Sequence, residues 1–88
     1  MSKVLIIIPA FNEGKNIKEL VQKLAKEASE CDVLVINDCS TDNTAEVLRN
    51  IKANFIDLPA NLGIGGAMQT GYKYAKLHGY DIAIQVDG

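Results

Sequence analysis

Short apolar runs alternate with amphipathic segments along this chain, and this alternation predicts strands and helices in turn. Val4–Ile8 is a continuous run rich in β-branched residues, which is typical of a strand buried on both faces. After the polar loop Pro9–Lys15, apolar residues recur at helical spacing between Ile17 and Ala28. Further strands are predicted at Val33–Ile36, Asn54–Leu58 and Asp81–Val86.

Two more helices are predicted between these strands. The first is Thr44–Asn50, and the second is Ala67–His78, which follows a glycine-rich turn at Asn61–Gly66 and ends at Gly79. Small residues recur every four positions along the second of these helices and would let it lie close to a sheet: Ala67, Gly71 and Ala75. Capping pairs are predicted at the starts of the first two helices of the chain: Asn16 with Glu19, and Asn43 with Glu46.

The alternation of strand and helix predicts an α/β fold, a Rossmann-like three-layer αβα arrangement. The sheet should be parallel, with right-handed crossovers and the strand order 3-2-1-4. Ligands of such sheets bind beyond the carboxyl ends of the strands, where the winding direction reverses. We therefore expect a binding crevice between the first and fourth strands.

Composition narrows the function only slightly. With 88 residues, 48% hydrophobic and 23% charged, the chain should form one globular unit. A net charge of -2 gives no reason to expect nucleic acid as a partner. Cys31 and Cys39 lack the spacing of a zinc site or a redox pair, so we expect free thiols and a cytoplasmic location.

Acidic residues follow three of the four predicted strands: Glu13, Asp38 and Asp87. Asp57, within the third strand, is a further candidate. Asp favours turns, so any one of these acids alone carries little information. A parallel sheet, however, would bring the whole set to a common edge, and this predicts a ligand site.

An acidic crevice would repel a bare phosphate, so phosphate binding there would require a bridging divalent cation, Mg²⁺ or Mn²⁺. Acids that do not bind metal would accept hydrogen bonds from a base N–H or from ribose hydroxyls. Phe11 is a large apolar residue in a polar loop. It could pack on the following helix as a hydrophobic staple or provide a platform for a nucleobase.

The familiar glycine-rich nucleotide-binding motifs do not match this sequence. The loop after the first strand has one glycine, Gly14, whereas a dinucleotide fingerprint needs three. A phosphate-binding loop would place Ser or Thr after Gly14-Lys15, and Asn16 stands there. The later run Gly63-Ile64-Gly65-Gly66 matches only the start of the dinucleotide fingerprint, because Met68 stands where the last glycine of that fingerprint should be.

Four segments together resemble the start of a family 2 glycosyltransferase with the GT-A fold. Ile8–Glu13 resembles the opening nucleotide-binding motif of the family, and Val35–Thr44 resembles the second motif. Asn61–Ala67 is similar to the third loop, and Gln85–Gly88 to the first half of the Asp-x-Asp metal motif. The glycine pattern is similar to the branch with dolichyl-phosphate mannose synthase and bacterial polyprenyl-phosphate glycosyltransferases. The resemblance implies the N-terminal half of a GT-A fold.

The resemblance also implies functions for individual residues. Asp38 would accept the base N–H, and Asp87 would meet ribose or metal. The implied nucleotide-binding set is Pro9, Ala10, Phe11, Glu13, Asp38, Gly65 and Asp87, with Asp87 also a metal ligand. Asn37 departs from the pattern because the family usually has aspartate there, and Cys39 replaces the usual glycine or asparagine.

The resemblance further implies an inverting, metal-dependent transfer from a UDP- or GDP-linked sugar to a polyprenyl phosphate or glycan, at the cytoplasmic face of a membrane. In this family the second metal-motif acid, the base and the acceptor pocket lie beyond the position of Gly88. We therefore expect residues 1–88 to be the donor-binding half, with no catalytic residue and no useful activity alone. The open edge of the fourth strand predicts a homodimer. The alternative is a non-catalytic nucleotide-binding or interaction module.

Overall fold

A computed structural model describes residues 2–87, which form a parallel sheet flanked by helices. Gly88, the last residue of the segment similar to the metal motif, lies outside this range. The elements in chain order are β1 Val4–Ala10, α1 Ile17–Glu27, β2 Asp32–Asn37, α2 Thr44–Asn50, β3 Phe55–Asp57, α3 Gly63–Leu77 and β4 Ile82–Gln85. Within residues 2–87, none of the helices has the length and apolar character needed to cross a bilayer.

The strand order β3-β2-β1-β4, with every pairing parallel, confirms the predicted topology. β1 lies inside the sheet, and its alternate side chains enter two separate cores. Leu5 and Ile7 pack beneath α3, whereas Ile6 and Ile8 pack beneath α1 and α2. This two-sided burial explains why β1 is apolar without interruption.

The predicted close approach of α3 to the sheet is confirmed. Ala67, Gly71 and Ala75 are all buried. A Cβ atom added to Gly71 would lie 2.6 Å from Cγ2 of Ile7, so β1 leaves no room there for a larger side chain.

The predicted start of α3 at Ala67 was wrong, because the helix begins at Gly63. Side chains from outside the helix favour this earlier start. The Asn61 carboxamide oxygen accepts the Gly63 N–H at 3.0 Å, and Asp38 Oδ1 accepts the Leu62 N–H at 2.7 Å. Among the glycines of the turn Asn61–Gly66, Gly63 alone has a positive φ, 75°, which favours glycine.

The two predicted N-cap positions are confirmed, but the predicted capping hydrogen bonds were wrong. Asn16 and Asn43 occupy the N-cap positions of α1 and α2, but neither side chain makes a capping hydrogen bond. At α1 the Glu13 carbonyl accepts the Ile17 N–H at 2.8 Å. At α2 the Asp42 carboxylate accepts the Thr44 N–H at 2.9 Å. Acceptors from the preceding loops therefore replace the expected caps.

Candidate functional site

A cavity of about 290 Å³ lies at the carboxyl end of β1, where the crevice was predicted. The loop after β1 supplies one wall, and residues that follow β2 and β4 supply others. The lining residues are Pro9, Ala10, Phe11, Glu13, Asp38, Ile64, Ala67 and Asp87. The cavity therefore brings together three acids, one aromatic ring and one exposed aliphatic side chain.

Of the seven residues assigned to the nucleotide, all but Gly65 line this cavity. Gly65 is exposed in the first turn of α3, and no atom lies within 4 Å of a Cβ built on it. Its neighbour Ile64, which sequence analysis missed, lines the cavity with 60% of its surface exposed. The sequence did offer a signal for Ile64, because it is a large apolar residue between glycines in a segment expected to border the ligand.

Asp57 does not belong to this group of acids. Its Oδ1 accepts a hydrogen bond from Asn37 Nδ2 at 2.7 Å, and its Oδ2 lies 3.9 Å from Arg49. The Asp57 side chain thus contacts other residues of the fold at the end of β3, and it does not line the cavity.

Asp38 is the best-defined acid of the site, with only 4% of its surface exposed. Its backbone N–H donates to the Ala10 carbonyl at 2.8 Å, which continues the pairing of β1 and β2 by one residue. Its Oδ1 accepts the Leu62 N–H at the start of α3, where the helix dipole favours a negative charge. Oδ2 is then the oxygen that can accept a hydrogen bond from a ligand.

The loop after β1 is held by side chains from the loop after β2. Three consecutive backbone N–H groups, those of Asn12, Glu13 and Gly14, donate to oxygens of that second loop and the start of α2. Their acceptors are Ser40 Oγ at 3.0 Å, Thr44 Oγ1 at 3.0 Å and Asp42 Oδ2 at 3.1 Å. The backbone that carries Phe11 and Glu13 is therefore fixed without a ligand.

Asn12 makes the reverse connection. Its side-chain oxygen accepts the N–H groups of Thr41 at 2.8 Å and Asp42 at 3.2 Å. Its backbone is left-handed, with φ 54°, a conformation that asparagine tolerates better than most residues. Each loop therefore provides acceptors for the backbone of the other.

Asp42 is an acid of the loop after β2 and accepts hydrogen bonds from the loop after β1 and from the start of α2. The hydrogen bond from the Thr44 hydroxyl is the main reason that the pKa of Asp42 is below its ordinary value of 3.8, and the N–H groups of Thr44 and Gly14 lower it further. The carboxylate form thus suits its structural use as an acceptor.

At one of the two positions that depart from the family pattern, the backbone conformation explains the residues that the family usually has. Cys39 has φ 56°, in the region where glycine or asparagine is least strained. The usual residues at this position therefore fit its conformation better than cysteine does.

The described residues do not by themselves form a metal site. Nowhere in residues 2–87 do three His, Cys, Asp or Glu side chains form a group able to hold a metal ion. Asp87 Oδ1 accepts a hydrogen bond from Gln85 Nε2 at 2.6 Å. A cation at Asp87 would therefore need further oxygen ligands from elsewhere, such as nucleotide phosphates.

Comparison with known proteins decides the family. Residues 5–78 match the model of glycosyl transferase family 2. The chain belongs to this family. The predicted family resemblance is thus confirmed, and with it the prediction that the chain comes from a glycosyltransferase family.

Two relatives illustrate the family. The undecaprenyl-phosphate mannosyltransferase of Micrococcus luteus is 29% identical over 90 residues, which cover 97% of this chain and 37% of the relative. The poly-β-1,6-N-acetyl-D-glucosamine synthase of Staphylococcus aureus is 33% identical over 89 residues, covering 96% and 21%. The chain thus spans little more than a third of the first relative and about a fifth of the second.

The fold matches solved structures as well. A mannosyltransferase from Pyrobaculum calidifontis, solved with GDP-mannose and Mn²⁺, superposes with a TM-score of 0.77 at 21% identity. The match covers 84% of this chain and 24% of the other. This likeness confirms the Rossmann-like αβα fold of the described residues.

Proposed function

We propose that this glycosyltransferase chain binds the nucleotide of a nucleotide-diphosphate sugar in the cavity at the end of β1. The observation that carries the proposal is the position of Asp38. It is almost fully buried, Leu62 fixes one of its oxygens, and the side chain lines a cavity beside Phe11. A buried carboxylate with an unused oxygen is suited to accept a base N–H.

Phe11 supports the same proposal. Its side chain is 47% exposed and lines the cavity, and it belongs to neither hydrophobic core among the described residues. Of the two interpretations of Phe11, the structure therefore favours the platform for a base over the hydrophobic staple. Base stacking on an aromatic ring is worth about 1–3 kcal/mol.

A divalent cation is part of the proposal because three acids line the cavity. Without a cation they would repel a diphosphate. We infer that Asp87 would hold Mn²⁺ or Mg²⁺, with further oxygen ligands from the nucleotide, and such a cation would supply stabilisation of the charge on a leaving diphosphate. The Mn²⁺ and GDP-mannose in the Pyrobaculum calidifontis enzyme support this inference.

The reaction proposed for the protein is inverting transfer of the sugar to a polyprenyl phosphate or a glycan at the cytoplasmic face of a membrane. The names of the two relatives, one an undecaprenyl-phosphate mannosyltransferase and the other a polysaccharide synthase, support these acceptor classes. We assign no catalytic base to the described residues. The test is to supply labelled sugar donor to cell membranes that contain the protein. If the label reaches neither acceptor, this part of the proposal is contradicted.

We also propose a homodimer through β4, the last strand in the sheet order. Ile82 and Ile84 of this strand are 45% and 44% exposed. An apolar edge strand pairs readily with a second strand. Light scattering should give twice the chain mass, and Ile84→Lys should give the monomer mass. A wild-type monomer at high concentration would refute the dimer.

Calorimetric titration with UDP and with GDP, each with and without Mn²⁺, tests nucleotide binding. Asp38→Asn keeps the shape of the side chain and its bond to Leu62, but removes the charge that attracts a base N–H. We expect this variant to bind the preferred nucleotide about tenfold to a hundredfold more weakly. Asp81→Asn, which changes an exposed acid before β4, is the matched control and should bind normally. Absence of binding by the folded wild-type protein would refute the proposed function.

A further inference from the structure

A continuous series of hydrogen bonds runs from the end of β3 to the loop that borders the cavity. Asp57 Oδ1 accepts a hydrogen bond from Asn37 Nδ2 at 2.7 Å. Asn37 Oδ1 accepts one from the Ser40 hydroxyl, and Ser40 Oγ accepts the backbone N–H of Asn12 at 3.0 Å. Three hydrogen bonds therefore link Asp57 to the loop that carries Phe11 and Glu13.

The chemistry of the first residue sets the direction of every bond in this series. An ionised carboxylate can only accept, so Asn37 must present its amide N–H₂ group to Asp57. Its carbonyl oxygen then faces Ser40, and the Ser40 hydroxyl must donate to it. A lone pair of Ser40 Oγ is thereby left for Asn12. The amide orientation of Asn37 is thus assigned by its partners.

The series ends at Asn12, whose backbone has a left-handed conformation. Asn12 has φ 54° and lies between Phe11 and Glu13, which both line the cavity. A change in the backbone of Asn12 would reorient both neighbours. Asn37 itself is 2% exposed and does not line the cavity, so it can affect a ligand only through other residues.

We propose that Asn37, paired with Asp57, is a positioning residue for the nucleotide site. The pair fixes the Ser40 hydroxyl, which fixes the Asn12 backbone and with it Phe11 and Glu13. This inference rests on the proposed nucleotide-binding function and names residues that control it without contact with the ligand.

The neutral Asn37 amide and the Asp57 carboxylate bring only one negative charge to their contact. Aspartate at position 37 would place a second carboxylate against Asp57, at a site where the present atoms are 2.7 Å apart. Two ionised carboxylates cannot share that distance, so they would separate or retain a proton. The neighbouring charges would not compensate. Arg49 is 3.9 Å from Asp57 and largely exposed, and the adjacent Asp38 adds negative charge.

Exchange of the two side chains provides the test. Asn37→Asp should weaken nucleotide binding about tenfold, because the repelled carboxylate no longer holds Ser40 in place. Asp57→Asn alone should weaken binding less than Asn37→Asp does, since an amide oxygen can still accept from Asn37 although the amide no longer fixes the direction of that bond. The double variant should regain wild-type affinity, because the new amide at position 57 donates to the carboxylate introduced at position 37, which still accepts from Ser40.

Ser40→Ala is a second way to break the series, without any new charge. It should weaken binding by a similar factor, and Asp57→Asn should not rescue it, because the interruption lies beyond the pair. Titration is carried out on variants shown to be folded by circular dichroism. A readout independent of ligand is hydrogen exchange of the Asn12 amide, which should accelerate in Asn37→Asp and Ser40→Ala and recover only in the exchanged pair.

The outcomes separate the two proposals. Wild-type protein that binds neither UDP nor GDP refutes the proposed function, and the Asn12 amide then still decides whether the pair positions the loop. Binding by the wild type that Asn37→Asp and Ser40→Ala leave unchanged overturns the positioning inference. Loss of affinity that the exchanged pair fails to restore overturns it equally.

Discussion

The two ends of the sheet use polar side chains in different ways. At the carboxyl end, oxygens of Ser40, Asp42 and Thr44 bind backbone N–H groups of the facing loop. At the amino end, polar and aromatic side chains bind each other. Tyr80 donates its hydroxyl hydrogen to Asp32 at 2.6 Å, and the Lys3 ammonium lies 4.3 Å from the Tyr80 ring centroid.

This difference separates support of a site from support of the fold. The loop after β1 is fixed through its backbone, which leaves the Phe11 side chain exposed towards a cavity. At the amino end, Tyr80 packs on the core beneath α3, and Lys3 Nζ donates to the His78 carbonyl at 2.9 Å. Substitutions at the first end should therefore change affinity, and substitutions at the second should change stability.

Removal of the Tyr80 side chain should have the largest effect. Tyr80→Ala loses packing on the core, the contact with Lys3 and the bond to Asp32, and we expect the free energy of unfolding to fall by about 2 kcal/mol. Urea denaturation measures this change. Nucleotide affinity of the folded fraction should stay at the wild-type value. A large loss of affinity at unchanged stability would break the proposed division between the two ends.

Removal of the Phe11 ring should do the opposite. Phe11→Ala should weaken nucleotide binding about tenfold, since a base would lose its stacking partner. Stability should hardly change because the ring is 47% exposed. Tyr72→Ala is a matched control, since Tyr72 is also 47% exposed but does not line the cavity. Equal affinities of the two variants would exclude Phe11 as the platform.

The sequence was sufficient for the topology because the deciding signals are local. The unbroken apolar run of β1 and the small-residue face of α3 depend only on their own residues, and both predictions were confirmed. The positions of Phe11, Glu13 and Asp38 around one cavity followed from the rule that parallel strands end at a common edge.

What could not be predicted depends on partners distant in sequence. α3 starts early with help from Asp38, 24 residues before Leu62, and Asp57 is engaged by Asn37, 20 residues earlier. The acceptors for the loop after β1 likewise come from the loop after β2. Propensity rules describe neighbours along the chain, so they placed the start of α3 at Ala67 and counted Asp57 as a candidate for the site.

Alkaline pH offers the finest test of the amino end. The hydrogen bond to Asp32, with added contributions from burial and nearby charge, raises the pKa of Tyr80 from 10.0 to about 12. Because the folded state retains this proton longer than the unfolded state, the stabilisation is complete below pH 10 and is lost as the pH rises towards 12.

Tyr80→Phe lacks this ionisation, so it should be less stable than wild type by about 0.5 kcal/mol at pH 8, a value discounted for exposure. The difference should vanish by pH 12. Lys3 is present in both proteins, and its contribution therefore largely cancels. Tyr72→Phe is the control, and its stability should follow that of wild type throughout. If the lower stability of Tyr80→Phe persists undiminished above pH 12, the hydroxyl stabilises the protein through packing and not through its proton. The Tyr80 hydroxyl would then contribute to the amino end by packing alone.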